Sequence, residues 1–174
     1  ATPAADEDGN GNGILGPSAC GALGYAIPDM LYAKRKVVVT DHLLKNIESP
    51  EIDGNYIDYV LLVDKIGSQQ GIVSGTTKIT RDPIGLKIAR DTAQMIDELG
   101  LIKEGFSMQT GAGGTTLAVA KYIRDLMIKK GIKASFACGG ITGYFVQMLE
   151  EGLIERLYDV QCFDLEAVRS IKEN

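Results

Sequence analysis

Phe106-Ser107-Met108-Gln109-Thr110-Gly111-Ala112-Gly113-Gly114 is a short apolar run that stops in glycines just where a helical pattern begins. The order reads as strand, loop, helix. Gly111, Gly113 and Gly114 permit positive φ and place no Cβ in the way, so a ligand can approach the backbone closely. The N–H groups opening the next helix then face that ligand, and with the positive end of the helix dipole they suit a phosphate, a carboxylate or a developing oxyanion. A tight structural strand-to-helix turn would use the same glycines. The pattern recurs, because Ala134-Ser135-Phe136-Ala137-Cys138 is again a short apolar run entering Gly139-Gly140 and a helical segment. Two such units in one parallel sheet share a carboxyl edge, since the crossover is right-handed. Ligands of open α/β sheets bind at that edge. Thr110 to Gly114 and Gly139 to Thr142 are therefore expected to face one crevice.

Upstream, Asp82-Pro83 supplies an N-cap followed by proline at the first helical position. Ile84, Ile88, Met95, Ile96 and Leu99 fall on one helical face, and Gly100 suits the end of that helix. Leu117, Ala120, Ile123, Leu126 and Met127 line a second helix, closed by Lys129-Lys130-Gly131. A third unit follows, with Phe145, Met148 and Leu149 on a helix, Gly152 as its cap, a strand from Leu157 to Cys162, and Asp164 capping a last helix. In the first half, Val37-Val38-Val39-Thr40 reads as a strand buried on both faces, and Tyr56 to Val63 repeats that character after Asp53-Gly54-Asn55. Ser18 is expected to N-cap a helix bearing Leu23, Ile27, Met30 and Leu31, with a kink or restart at Pro28. Residues 1–17 are acidic and then glycine-rich, which predicts a mobile or loosely held arm. The polar, non-periodic stretch Gly67 to Thr80 predicts a lobe boundary.

The 174 residues carry a net charge of -5, which argues against nucleic-acid binding because that requires excess cations. Lys34-Arg35-Lys36, the densest basic cluster, sits at an expected helix end, where cations complement the dipole. Cys20, Cys138 and Cys162 are odd in number and lack C-x-x-C spacing, so neither a disulfide framework nor a zinc knuckle is indicated. His42 has no second histidine or cysteine nearby, so no metal site is expected and a surface or capping role is. No segment has the length of a membrane span, and the amino-terminal residues lack the parts of a signal peptide, so a cytoplasmic protein is expected. The absent initial Met and the stop after Arg169-Ser170-Ile171-Lys172-Glu173-Asn174 suggest a piece of a longer chain.

Two familiar glycine motifs fail here. Counting G-x-G-x-x-G from Gly111 reaches Thr116, and no acidic residue ends the next strand, so dinucleotide binding is disfavoured. No lysine follows Gly113-Gly114 until Lys121, so a P-loop is disfavoured too. A turn that presents backbone N–H groups, as acyl transfer needs for a tetrahedral oxyanion, survives.

Asp82 to Arg90, Lys103 to Gly114, Phe136 to Thr142 and Asp159 to Asp164, with Ala1 to Asp6 and Ser18 to Tyr25, closely resemble the alpha-subunit family of citrate lyase. The resemblance covers almost the whole chain. It implies an α/β fold of open parallel-sheet lobes of the CoA-transferase (NagB/RpiA-like) type. Residues 1–78 would be the C-terminal part of the first lobe and 79–174 the N-terminal part of the second. It also implies a citrate CoA-transferase that exchanges acetyl for citryl on the thiol of an acyl carrier protein, giving citryl-carrier protein and acetate. The carrier's thiol belongs to a CoA or dephospho-CoA-type prosthetic group, and the other partners are the lyase subunits of the complex. Gln109, Thr110, Gly111, Ala112, Gly113 and Gly114 would hold the pantetheine arm or thioester oxygen, with Gly139, Gly140, Ile141 and Thr142 as the neighbouring wall. The catalytic residue is unassigned: related CoA-transferases use a glutamate beyond the matched segment, while Glu104, Glu7 and Asp8 read as solvated acids. A non-catalytic docking piece and an acyl-CoA hydrolase of the same superfamily are the alternatives.

Overall fold

The computed structural model describes residues 1–72 and 78–173. Internal contacts divide the chain into two units, Ala1–Ile72 with Val160–Asn174, and Val73–Asp159. The break after Ile72 falls within the Gly67 to Thr80 stretch, of which residues 73–77 lie outside the described residues. The expected division into 1–78 and 79–174 concerns lobes of a longer protein and stands apart from these contact units.

In the first unit, β1 (Ala4–Asp6) pairs antiparallel with β2 (Gly11–Asn12). Helix α1 (Ala26–Tyr32) then leads to β3 (Val37–Thr40), and β4 (Leu43–Leu44) pairs parallel with β1. β5 (Tyr59–Leu62) pairs parallel with β3 in register from Val37–Tyr59 to Thr40–Leu62. Ala5, Leu23, Met30, Val38 and Ile52 form the core cluster. The expected mobile arm is thus corrected, because residues 2–6 are buried. The reason is Asp6, whose Oδ1 accepts from the N–H groups of Asp8 (3.1 Å) and Asn10 (2.9 Å). Its Oδ2 accepts from Asn10 Nδ2 (3.0 Å) and the Ile47 N–H (3.1 Å). One carboxylate satisfies a glycine-rich loop that has no core of its own.

The helix expected from Ser18 is also corrected, since α1 begins only at Ala26. Gly13 O accepts from Cys20 N (2.9 Å) and Gly21 N (3.0 Å), while Glu51 Oε2 accepts from Leu23 N (2.8 Å). These bonds replace the helical ladder. Gly21 has φ +85, and a Cβ there would lie 2.2 Å from Cys162 Sγ, so this loop needs glycine twice over. Ser18 instead donates to Asp41 Oδ2 at 2.5 Å. Pro28 falls in the first turn of α1, where its missing N–H costs nothing. β3 and β5 are not buried on both faces as expected: Val37, Tyr59, Leu61 and Leu62 are all about half or more exposed, the two strands forming among the described residues a sheet of just that pair, too small to be covered on both sides.

The second unit begins with α2 (Pro83–Glu98), capped as expected by Asp82, whose Oδ2 accepts from Gly85 N at 2.7 Å. β6 (Phe106–Gln109) leads into α3 (Gly114–Lys130), which ends at Gly131 with φ +65. β7 (Ala134–Ile141) pairs parallel with β6. α4 (Gly143–Glu150) follows, and then β8 (Ile154–Cys162), which lies beside β7 and carries the chain into the first unit. α5 (Leu165–Glu173) starts at Asp164, whose Oδ1 accepts from Ala167 N at 2.9 Å. No helix among the described residues is long and apolar enough to cross a membrane.

The face of α2 that carries Ile84, Ile88, Met95 and Leu99 is exposed, at 70%, 53%, 54% and 66%. α2 packs on α3 and buries Gly85, Ala89 and Ala93, because small side chains let two helix backbones approach. The contrast is testable by urea denaturation. Met95→Lys is expected to change stability by less than about 0.5 kcal/mol, whereas Ala89→Leu lowers it by about 1–3 kcal/mol through overpacking. The reverse ranking would show that the large residues face the core.

Candidate functional site

The β6–α3 connection runs from Thr110 to Gly113, and Gly113 is the N-cap of α3 with extended backbone, φ -174. Intrahelical bonding starts with Leu117 N donating to Gly113 O at 2.9 Å, so the N–H groups before it have no acceptor within the helix. None of Gly111, Gly113 and Gly114 adopts positive φ, which corrects that part of the reading. Their use is space. A Cβ on Gly111 would meet nothing within 4 Å, leaving that part of the turn open. A Cβ on Gly114 would stand 3.1 Å from Lys78 O and Thr80 N, so Gly114 lets the chain before α2 cross the start of α3. Thr80 N donates to Gly114 O at 3.0 Å and fastens that crossing. The Thr116 hydroxyl lies 2.7 Å from Gly111 O and 2.9 Å from Gly113 O, which pins the turn. Thr116 stands where a dinucleotide motif would need glycine, and nothing local in the sequence marks its hydroxyl as the clasp of this turn.

Gly139 and Gly140 lie within β7 and not in a turn, since the strand continues to Ile141. Thr142 is the N-cap of α4. The second glycine pair is therefore a strand end, corrected from a turn, and its physical reason is local. Gly139 has φ +105, and a Cβ there would lie 2.9 Å from Gln109 Nε2. Gln109 pairs with Cys138 in the parallel register, so its side chain lies across the vacancy that Gly139 leaves. Parallel pairing puts the ends of β6 and β7 on one edge, with the starts of α3 and α4 following them. Ile141 and Thr142 are 2% exposed, and Thr142 Oγ1 is buried without a hydrogen-bond partner.

Around α4 the charges are arranged unevenly. Arg124 holds Glu151 through Nε–Oε2 at 2.8 Å and Nη2–Oε1 at 2.7 Å. The hydrogen bond from Arg124 holds the Glu151 carboxyl below the usual range. Burial pushes the Tyr144 phenol up to about 12, with Asp125 and Glu151 adding to the effect against Arg124. Tyr144 is thus a protonated donor at neutral pH. Glu104, suspected only of being solvated, accepts from the Lys133 N–H at 2.9 Å and ties β6 to β7 at the amino edge, away from the glycines. His42 is half-buried in the first unit, and its carbonyl accepts from Ala5 N at 3.1 Å.

Together these features define an open α/β protein with a glycine turn at the carboxyl edge of a parallel sheet. The profile of the citrate lyase alpha subunit family matches residues 1–174. The chain belongs to the citrate lyase alpha subunit family. It is 45% identical over 173 residues to the citrate lyase alpha chain of Escherichia coli and 44% identical to that of Klebsiella pneumoniae. Each match covers 99% of this chain and 34% of the relative, so the chain spans about a third of their length. A crystal structure described as the alpha subunit of citrate lyase from Streptococcus mutans in complex with citrate superposes with a TM-score of 0.93. It is 45% identical, over 99% of this chain and 34% of that one. A malonate decarboxylase hetero-tetramer from Pseudomonas, in complex with malonate, gives a TM-score of 0.64 at 17% identity over 92% of this chain and 29% of that one, a likeness of fold alone.

Proposed function

We propose that this chain is the part of a citrate CoA-transferase that carries the thioester-facing turn. The full protein exchanges acetyl for citryl on the thiol of an acyl carrier protein in the citrate lyase complex. The observation behind the reading is the shared edge: Gln109 to Gly114 and Gly139 to Thr142 adjoin through Gln109 and Gly139. The fold is read as lobes of the CoA-transferase (NagB/RpiA-like) type, with 1–78 from the first and 79–174 from the second. A cytoplasmic location and the lyase subunits as partners belong to the same proposal.

The residues suit a CoA or dephospho-CoA-type arm in two ways. Gly111 leaves its side of the turn open, and Thr142 Oγ1 is a buried hydroxyl with unused hydrogen-bonding capacity. The arm supplies the thiol that carries the acyl group. Gln109, Thr110, Gly111, Ala112, Gly113 and Gly114 would hold the arm, and the N–H groups at the start of α3 would be the donors available to the thioester oxygen. Gly140 and Ile141 form the wall behind, and Ile141 excludes water. Such donors stabilise charge that develops on that oxygen, and one of them typically contributes 10²–10³-fold. Citrate enters and acetate leaves: the acetyl C–S bond would break as a carboxylate takes the acetyl group, and the released thiolate would then attack the activated citrate carbonyl, so one C–S bond replaces another with no net release of thiol.

The test uses the full-length parent protein in its reconstituted complex, with acetyl-loaded carrier protein and citrate. Acetate release together with conversion of the carrier from acetyl to citryl, read by mass spectrometry, is expected. Acetate release that leaves a bare thiol indicates a hydrolase and overturns the reading. A carrier that is retained but unaltered indicates docking alone, the role that the exposed apolar stripe of α2 would favour.

A further inference from the structure

The second unit contains a cleft that the glycine segments do not line. Lys78, Ile79, Thr80 and Arg81 form one wall and Gly143, Tyr144 and Gln147 the other, around about 820 Å3 open to solvent. Lys87, Lys121, Arg124 and Lys130 of the same unit each hold a carboxylate. Lys78 and Arg81 hold none among the described residues. Lys103, Lys129 and Lys133 of this unit hold no carboxylate either among the described residues; what sets Lys78 and Arg81 apart is that both line one cleft.

The cationic wall is fastened. Thr80 N donates to Gly114 O, the first residue of α3, and a Cβ on Gly114 would stand 3.1 Å from Lys78 O, so no side chain could intervene. The opposite wall is the first turn of the eight-residue α4, the positive end of its dipole. Tyr144 and Gln147 add neutral donors.

The geometry points to an anion subsite in which Lys78, Arg81 and the amino end of α4 bind a small multivalent oxyanion. Two protein charges and a helix end call for at least two negative charges on the ligand, because each uncompensated cation keeps its own hydration. A tricarboxylic acid and the pyrophosphate of a nucleotide-bearing carrier arm both meet that need; acetate, with one charge, does not. The cleft would thus hold a substrate or its carrier and let the monocarboxylate product go. Only the choice between these two sources rests on the transferase reading.

Calorimetric titration of the chain with inorganic pyrophosphate, citrate, 3′-dephospho-CoA, pantetheine and acetate tests the subsite at low and raised salt. Pyrophosphate is expected to bind, more weakly at raised salt. Lys78→Gln and Arg81→Gln are each expected to weaken it on the order of tenfold, with an unchanged melting temperature because both residues are exposed. Citrate binding lost in both variants assigns the subsite to the acid. Loss of 3′-dephospho-CoA binding, with pantetheine failing to bind at all, assigns it to the arm. The subsite is overturned if pyrophosphate does not bind, if both variants bind it like wild type, or if neither citrate nor 3′-dephospho-CoA occupies it. Pyrophosphate binding by a protein without transferase activity would sink the transferase reading and leave the subsite standing.

Discussion

Asp6→Ala is expected to lower the unfolding free energy by about 3–5 kcal/mol, because it strands buried donors that now share one carboxylate. The residue is 1% exposed, and its two oxygens accept four hydrogen bonds from Asp8, Asn10 and Ile47. Asp6→Asn is expected to fall nearly as far, since its NH2 would be turned on N–H donors. Burial pushes the Asp6 carboxyl up, but the Asn10 side chain and the N–H groups of Asn10, Ile47 and Asp8 outweigh it and hold the carboxyl below its ordinary value of 3.8. A folded-state value below the unfolded one contributes stability that is complete above about pH 4 and is lost as pH falls through the folded value. Urea denaturation from neutral pH down through pH 4 is the measurement. The gap between wild type and Asp6→Asn should be constant above about pH 4 and shrink below it. A variant of wild-type stability at neutral pH would return residues 1–17 to the status of a loose arm.

Gly139→Val is expected to be the most damaging single change at the candidate site. At φ +105 any side chain is strained, at about 1–3 kcal/mol, and the added Cβ would press Gln109 at 2.9 Å from Nε2. Gln109 is the last residue of β6, so the displacement acts where the glycine turn begins. In the reconstituted parent complex, citryl transfer should fall on the order of 10²-fold, the usual consequence of misplacing a reacting group by about 1 Å. A double-mutant cycle with Gly139→Ala and Gln109→Ala separates the causes. Deleting Gln109 removes the contact but leaves the backbone strain, so Gly139→Ala should cost less in that background without becoming neutral. Equal costs in both backgrounds would show that Gly139 answers to backbone conformation alone.

The same two residues show why the site was only partly legible. Phe106 to Gly114 announces its own strand, turn and helix through apolar residues followed by glycines, and the structure follows it residue by residue. Gly139-Gly140 announces an irregularity but not its kind. Whether a glycine pair makes a turn or leaves room within a strand depends on what comes across from the next strand, and here that is Gln109. Lys78 and Arg81 carry no local signal at all. Their partners in the cleft, Gly143, Tyr144 and Gln147, are more than sixty residues away in the chain, and only the crossing over Gly114 brings them opposite one another.

Local chemistry therefore determined the starts and stops of these helices: Asp82-Pro83 opens α2, Gly131 closes α3, and Asp164 opens α5. Caps and backbone preferences act within a turn of the residue that bears them, so a sequence shows them directly. Tertiary structure decided the rest. It buried the acidic amino-terminal segment around Asp6, a polar residue whose fate depends on donors as far away as Ile47. It also turned the small face of α2 inward and the large one outward, because α3 offered a close backbone and not a cavity. Burial is a property of the neighbour as much as of the residue, and neighbours distant in sequence are supplied only by the fold.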